Sequence, residues 1–582
     1  MIADERTGAF AVSVDWLTEW RAMDSTMVNV PQLADEVAGV NFGDARLTNR
    51  LVRVVEALGS RPHDGIPAAT ATRTEMEGTY RFFANEKVTP DLILSKHFEC
   101  TRRRCSEQSV VLLVQDTTEV DLTQLSEQMS GAGPLDNSHR YGAFVHPLIA
   151  MDGNGVPLGL AWAKMWTRDQ QPSFVVPAVT VATAVDSASP ITSIVASATA
   201  SSATASSAIA SGTTASNASA NPLESVPLTA QEQEKIRKQS REKLRRHTPI
   251  EKKESMRWIE GVRQARDVAE ECPDATCVCI ADSEGDIFEL FTEPRETSHA
   301  RPLELLIRSG RERINADDDR PLLETVRNTP VHYECVLELS ARETKVQMKS
   351  DSRNGTRAAR QATVSVRATT VTLRAPWRFD RQLTDQVVNV VLVDETNPPE
   401  GEVPVQWILL TTLPIDSSDA VRQIVARYCE RWGIEVYFRT LKSGCRIEER
   451  QFEFLDRELN FIAVSLIHAW RILLLCRLGR ECPDMPCDVV FHASEWKAVC
   501  MVRNQAEAPD VPPRLNEMIR WIAAMGGHVI RSTTKAHHPG TQTLWLGLQR
   551  VNDLAIAWNT YGPGKITPTQ KSLMPQKRCV VR

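Results

Sequence analysis

The sequence predicts an α/β fold: a core of alternating strands and helices that carries a β-strand insertion, flanked by helical domains at both ends. Three observations predict it. Between residues 101 and 324, short apolar runs alternate with stretches of helical periodicity, the pattern of strands exchanging with helices. Residues 325–412 switch to β-branched, extended runs. Residues 1–100 and the stretch from 413 onward read as helix again.

Taken in order, the N-terminal hundred residues contain an amphipathic segment from Asp44 to Leu58, with Leu47, Leu51 and Val54 on one stripe. Strands are expected at Val110–Val114, Ala143–Met151 and Leu158–Trp166. From residue 178 to 222 the composition collapses to Ala, Ser and Thr, with little to bury and no sustained period, and reads as a flexible linker. A charged stretch, Gln231–Glu260, resumes helical character. Then come a strand at Cys277–Ile280, a helix from Asp286 and a strand at Leu303–Ile307. The β region supplies Val331–Leu339, Ala362–Arg374, Val387–Val393 and Trp407–Thr412. Residues 413–455 hold a helix that completes the core, and 456–582 form a helical C-terminal region.

Composition excludes several classes. The chain has 582 residues, enough for several domains, and a formal net charge of -6, which rules out a uniformly basic nucleic-acid coat but not local basic faces. Asp4, Glu5 and Arg6 leave no signal-peptide hydrophobic region at the start. The most apolar window, Phe461–Leu478, is interrupted by His468, Arg471 and Arg477, so it reads as a buried helix and no membrane is expected. Thirteen cysteines, an odd number, suit reduced cytosolic thiols. Cys277 and Cys279 share one face of a strand, Cys482 and Cys487 have no partner pair at zinc spacing, and His537-His538 reads as an exposed loop pair. There is no phosphate loop, complete GxGxxG, HExxH or GxSxG.

Three segments deliver a carboxylate. Two apolar runs end on Asp116 and Asp282, where open α/β sheets bind ligands; a turn or helix-cap aspartate is the plainer reading of each alone. In the segment Arg427–Lys442, Tyr428, Arg431, Glu435 and Lys442 fall within roughly 60° of one face at about 100° per residue. A phenol, a guanidinium, a carboxylate and an ammonium in one stripe can engage a phosphodiester and a metal together. The alternative is an exposed helix with ion pairs, since Arg431 and Glu435 are i,i+4. Together the three carboxylates suit a two-metal phosphoryl-transfer site.

The spacing Tyr-x2-Arg-x3-Glu-x6-Lys resembles the signature of DDE transposases of insertion-sequence family four. Further segments resemble that family: Asp116-Thr117-Thr118, Asp282-Ser-Glu284-Gly-Asp286-Ile287, Asn397-Pro-Pro-x-Gly401, Gln406-Trp407-Ile-Leu-Leu-Thr411, Phe42-Gly43-Asp44-x-Arg46, Glu77-Gly78-x-Tyr80-Arg81-Phe82 and Thr543-Leu-Trp545-x-Gly547-Leu-Gln-Arg550. The resemblance implies an RNase H-like core. It makes Asp116, Asp282 and Glu435 the ligands of Mg²⁺ (or Mn²⁺), two ions in all, and gives Tyr428, Arg431 and Lys442 to transposon-end DNA. Trp407 aligns with a tryptophan that receives a flipped base in relatives, a role that needs an aromatic surface; a core tryptophan is the other reading. Arg308, which ends its strand, is a phosphate contact on the same grounds. Ser283 departs from the family, which carries arginine there, and the Ala/Ser/Thr insertion of about 45 residues lies inside the core, a length a loop tolerates.

Arg46, Arg50 and Arg53 fall on one face of the N-terminal helix and are expected to contact DNA, with a solvated basic face as the alternative. A second basic surface is expected at Thr356–Arg381, six arginines with one acid, Asp380. The resulting expectation is a cytoplasmic cut-and-paste transposase that acts as a homodimer in a synaptic complex on double-stranded DNA, its dimer contact in the tail from about Asp456. Two alternatives are a terminal-repeat binder that does not cut and an RNase H-fold nuclease without strand transfer. The latter leaves the Tyr/Arg/Lys stripe and both flanking modules unexplained.

Overall fold

The run Val-Val-Leu-Leu-Val is apolar on both faces, and such a strand is stable inside a sheet covered on both sides. The computed structural model of the chain places it there, as β1 (Val110–Gln115). The structure describes residues 32–123, 129–136, 139–169, 247–339, 359–400, 402–450, 452–529 and 538–563. The chain divides into two units, Met1–Gln170 with Pro249–Arg582, and Gln171–Thr248; every element named here lies in the first. The Ala/Ser/Thr stretch 178–222, the charged segment 231–246 and His537 lie outside the described residues.

Among the described residues, one sheet of eleven strands runs in the order β2 (Thr118–Asp121), β4 (Tyr141–Asp152), β1, β6 (Thr276–Ala281), β7 (Glu304–Arg308), β11 (Gln406–Thr411), β10 (Gln386–Glu395), β9 (Arg360–Leu373) and β8 (Val331–Leu339). β3 (Gly133–Pro134) and β5 (Pro157–Trp166) also pair with β4. β1, β6 and β7 are parallel, and β4 and β11 flank them antiparallel. This is the RNase H-like core that the resemblance implies. The β region 325–412 is continuous with it, because Leu410 on β11 pairs with Ile307 on β7. Strand alternation sends Leu112, Val114, Val278 and Ile280 to one core, and Val111, Leu113, Cys277 and Cys279 to the other. The two cysteines are therefore packing residues, and the described cysteines are all free thiols.

Among the described residues, the helices of eight residues or more are α1 (Ala45–Ser60), α2 (Arg73–Phe83), α3 (Pro90–Ser106), α4 (Met256–Glu270), α5 (Ser418–Glu430), α6 (Trp432–Arg439), α7 (Leu455–Glu481), α8 (Ala493–Asn504), α9 (Leu515–Met525) and α10 (Thr541–Tyr561). Side-chain caps set several starts: Asp44 accepts from the Arg46 N–H, Thr89 from Leu92 ahead of Pro90, and Ser417 from Ala420. The helix expected from Asp286 does not form. Asp286 is instead held by Ser309, Gly310 and Arg313, and only a 3-10 turn, Phe288–Thr292, follows.

α7 is apolar enough by composition to cross a membrane, yet 89% of its apolar window is buried inside the protein. It packs against α1, α2, α3 and β5. The polar groups in the run are satisfied internally: His468 Nε2 meets the Val55 carbonyl at 2.9 Å and Arg471 donates to the Val490 carbonyl at 3.3 Å. The first stretch of the tail expected to make the dimer contact, as far as Glu481, is thus an internal strut.

Glu458 on this strut is fully buried, and both its oxygens lack a hydrogen-bond partner among the described residues. Burial pushes its carboxyl up to about 8, with Arg450 pulling the other way. A folded-state value above the unfolded one means stability that is present below about pH 4.5 and lost as pH rises through about 8. Wild type is therefore expected to lose thermal midpoint between pH 5 and 8 relative to Glu458→Gln. Parallel melting curves over that window for the two proteins would contradict this.

α9 and α10 touch backbone to backbone at Gly547, where a Cβ would lie 1.9 Å from the Ile522 carbonyl oxygen. Gly547→Ala gains about 1 kcal/mol of helix propensity. Parting two helices costs about 1–3 kcal/mol, and backbone cannot move aside as a side chain can. A lower urea midpoint is expected, and an unchanged or higher one would show that the helices separate freely.

Candidate active site

The parallel register that pairs Val114 with Ile280 carries Asp116 and Asp282 out of the sheet side by side, each two residues beyond the pair. Both are buried, at 7% and 5% exposure. Asp116 Oδ1 accepts the Thr117 N–H at 2.7 Å, and Asp282 Oδ1 accepts the Glu284 N–H at 2.8 Å, capping the turn Ser283–Gly285. The plain cap role is thus real for Asp282 and occupies one of its oxygens.

Glu435 reaches the same place from the helical segment. The chain there is not one helix: α5 and α6 meet at Arg431, and a π turn, Thr440–Gly444, follows α6. Buried at the junction, Arg431 donates through Nη1 to Asp116 Oδ2 at 3.1 Å and to Glu435 Oε1 at 3.3 Å. Burial, then the charge of Asp282, pushes the Asp116 carboxyl well above the carboxylate range; Arg431 draws it back and Glu435 raises it again. Burial alone would favour loss of the Arg431 proton, but Tyr428, Asp116, Asp282 and Glu435 more than reverse that. The guanidinium expected to face DNA sits instead among the acids as their counter-charge.

Among the described residues, no three acidic, histidine or cysteine side chains stand as a metal-ligand cluster. The residues nevertheless fit a hard divalent ion in their chemistry. The donors are all oxygen, and the disfavoured charge on Asp116 is what a dication relieves. Asp116, Asp282 and Glu435 would hold such an ion, in exchange for the hydrogen bonds that Asp116 and Glu435 now accept from Arg431.

The remaining predicted residues divide. Tyr428 is buried, with its ring 5.8 Å from that of half-buried Trp407, so Trp407 stands beside the stripe. Arg308 Nη2 donates to Ser283 Oγ at 3.1 Å, one residue from Asp282. Lys442 falls in the π turn, where a uniform 100° step no longer applies, and pairs with Glu448 at 3.1 Å. Glu448 also accepts the Asp121 N–H. Arg46, Arg50 and Arg53 lie on α1, apart from the carboxylates. Arg46 is 91% exposed and paired with Asp44, Arg53 is exposed, and Arg50 lies over Gly78 of α2.

The expected basic surface at Thr356–Arg381 is corrected. Arg360 pairs with Glu395, Arg374 with Asp319, Arg378 with Glu289, and Arg381 with Glu251 and Asp380. Acids from distant segments neutralise a stretch whose local count is basic; Thr356 and Arg357 lie outside the described residues. Missed by the sequence was Arg257 of α4, whose Nε donates to Thr117 Oγ1 at 2.7 Å. A lone arginine at a helix start carries no signal of its own in the sequence.

Comparison with known proteins places three family models on the chain: Transposase DNA-binding at residues 32–88, Transposase DDE domain at 224–470, and Transposase Tn5 dimerisation domain at 467–560. The DDE match includes Asp282 and Glu435 and begins after Asp116, which the strand register brings in. A solved piggyBac transposase synaptic complex with hairpin DNA aligns over 96% of this chain and 80% of that one, at 9% identity and a TM-score of 0.30. Matched in order by DNA-binding, DDE and dimerisation parts, the chain belongs to the DDE transposases and resembles the Tn5 transposase.

Proposed function

We propose that the chain is a cut-and-paste DNA transposase that binds terminal inverted repeats as a homodimer, cuts the DNA and joins the ends to target DNA in the cytoplasm. The observation that carries this reading is the meeting of Asp116, Asp282 and Glu435 around Arg431. Two divalent ions, Mg²⁺ or Mn²⁺, held by the three carboxylates would supply Lewis-acid activation of the attacking and leaving oxygens. Arg431, once exchanged off the carboxylates, is placed to clamp a phosphate, with Tyr428 beside it. Arg308 and Lys442 offer further phosphate contacts, and Trp407 a stacking face for an extruded base. This kind of transfer is mostly positioning and electrostatics. Dimer contacts belong to the region of the matched dimerisation part that follows the strut.

The test uses DNA flanking the chain's own gene, with a scrambled-end control, in Mg²⁺. Cutting at the repeat, followed by joining to a target plasmid, is expected. Binding without cutting would favour the non-catalytic binder, and cutting without joining the plain nuclease. Arg53→Glu is expected to weaken end binding and to reduce the log–log salt slope by about 1, by removing one phosphate contact. A gel-shift titration at several salt concentrations checks it, and an unchanged slope would leave α1 a merely solvated face.

A further inference from the structure

We propose that Arg257 is a positioning residue that ties together the two turns carrying Asp116 and Asp282 and so sets the spacing of the metal ligands; this rests on the metal-site reading above. Its side chain is 14% exposed and lies against the rings of Trp166 and Trp258, at 5.6 and 5.5 Å. Nη1 donates to the Glu254 carbonyl at 3.0 Å, which fixes the fork at the start of α4. Nε then donates to Thr117 Oγ1 at 2.7 Å and Nη2 to Glu284 Oε2 at 3.5 Å. Thr117 and Glu284 are the residues whose backbone N–H groups hold Oδ1 of Asp116 and Oδ1 of Asp282. One planar guanidinium thus grips both aspartate holders, a geometry the flexible point charge of lysine does not reproduce.

The grip continues inward with its donors in a definite order. Gln115 Oε1 can only accept, so the proton of a neutral His146 ring sits on Nε2 and its Nδ1 accepts the Thr117 hydroxyl proton at 2.8 Å. His146 Nε2–H then donates to Gln115 Oε1 at 3.1 Å, and Gln115 Nε2 to Cys279 Sγ at 3.3 Å. The neutral ring is in keeping with its burial and the nearby Arg257 and Lys164 charges, which hold its basicity well below the usual histidine range. Gln115 directly precedes Asp116, so the peptide bearing the aspartate is pinned from both sides. Gly261, one turn along α4, permits this approach: a Cβ there would lie 2.1 Å from Gln115 Oε1. Outer-shell partners of this kind typically account for about 10–100-fold in metal affinity.

The test is Mn²⁺ binding by titration calorimetry to the full chain, with wild type beside R257Q, R257K, T117V, the R257Q/T117V double variant and D282N. R257Q is expected to lose about 10–100-fold in Mn²⁺ affinity, with partial rescue in R257K. T117V is expected to lose less than R257Q, and the double variant no more than R257Q alone, because both break the same link. A merely structural role would lower the melting midpoint without this non-additive loss of affinity. Should R257Q fail to fold, T117V, which removes only a hydroxyl, carries the test, and wild-type affinity in it would overturn the proposal. Wild-type affinity in R257Q, or full additivity in the double variant, would overturn it as well. If wild type and D282N bind Mn²⁺ equally, the metal reading itself falls and the positioning role with it.

Discussion

Asp116→Asn is expected to lower Mg²⁺-dependent end cleavage by about 10³-fold, since a metal ligand supplies several kcal/mol and each 1.36 kcal/mol is tenfold in rate. The side chain keeps its size, so the sheet and the register with β6 persist. End binding is expected to survive, because no predicted contact of α1 depends on Asp116. Thermal stability is expected to rise rather than fall. Burial and the charges of Asp282 and Glu435 disfavour the ionised Asp116 carboxylate in the folded state, and the neutral amide removes that cost. Such an opposition of activity and stability is common at functional sites. Parallel cleavage, gel-shift and melting measurements check all three outcomes. Retained cleavage would remove Asp116 from the site, and a lower midpoint with lost binding would mean plain unfolding.

The second large effect is expected far from the chemistry, at Glu36→Ala. Glu36 lies ahead of α1 and is fully buried. It accepts from the His97 ring N–H and from both Nη atoms of Arg104 on α3. His97 Nε2 in turn accepts the Leu160 N–H at 3.0 Å, which fixes the neutral tautomer. The ring of Trp470 on α7 packs against both His97 and Arg104. Burial alone would raise the Glu36 carboxyl, but the hydrogen bond from His97 and the hydrogen bonds and charge of Arg104 outweigh it and hold the carboxyl below its usual range. Removing the acid leaves a buried arginine without its partner, a loss of about 3–5 kcal/mol. Because the network joins the N-terminal segment, the sheet and the strut helix, one cooperative loss in urea unfolding is expected. A change below about 1 kcal/mol would put the pair in the class of screened surface bridges. A depressed carboxyl contributes stability above about pH 4.5 that is lost as pH falls through its lowered value. Glu36→Gln should therefore flatten the acid limb of the stability curve.

What the sequence made legible follows from which forces are local. Strand runs that end on Asp116 and Asp282 are visible because apolar continuity and the terminal acid lie within a few residues. α7 was recognisable as internal because charges inside an apolar run must be satisfied by protein. The Tyr428–Arg431–Glu435 stripe was visible through helical phase. The break at Arg431 and the π turn at Thr440–Gly444 were not, because packing rather than local propensity decides them. Arg431 as counter-charge was hidden for a related reason: its partner Asp116 is distant in sequence. The basic stretch misled because Glu251, Glu289, Asp319 and Glu395 come to it from other segments. Arg257, a lone arginine at a helix start, has no pattern at all until Thr117 and Glu284 are placed beside it.

The central claim is that Asp116, Asp282 and Glu435 share bound divalent metal. The most direct measurement replaces Mg²⁺ by Fe²⁺ and maps where ascorbate and peroxide cut the polypeptide, since radicals formed at bound iron break the nearest backbone. Three clusters of cuts are expected, around Asp116, Asp282 and Glu435, suppressed by excess Mg²⁺ and weakened in Asp282→Asn. Cuts confined to other segments, or a pattern that Mg²⁺ and the substitution leave unaltered, would contradict it.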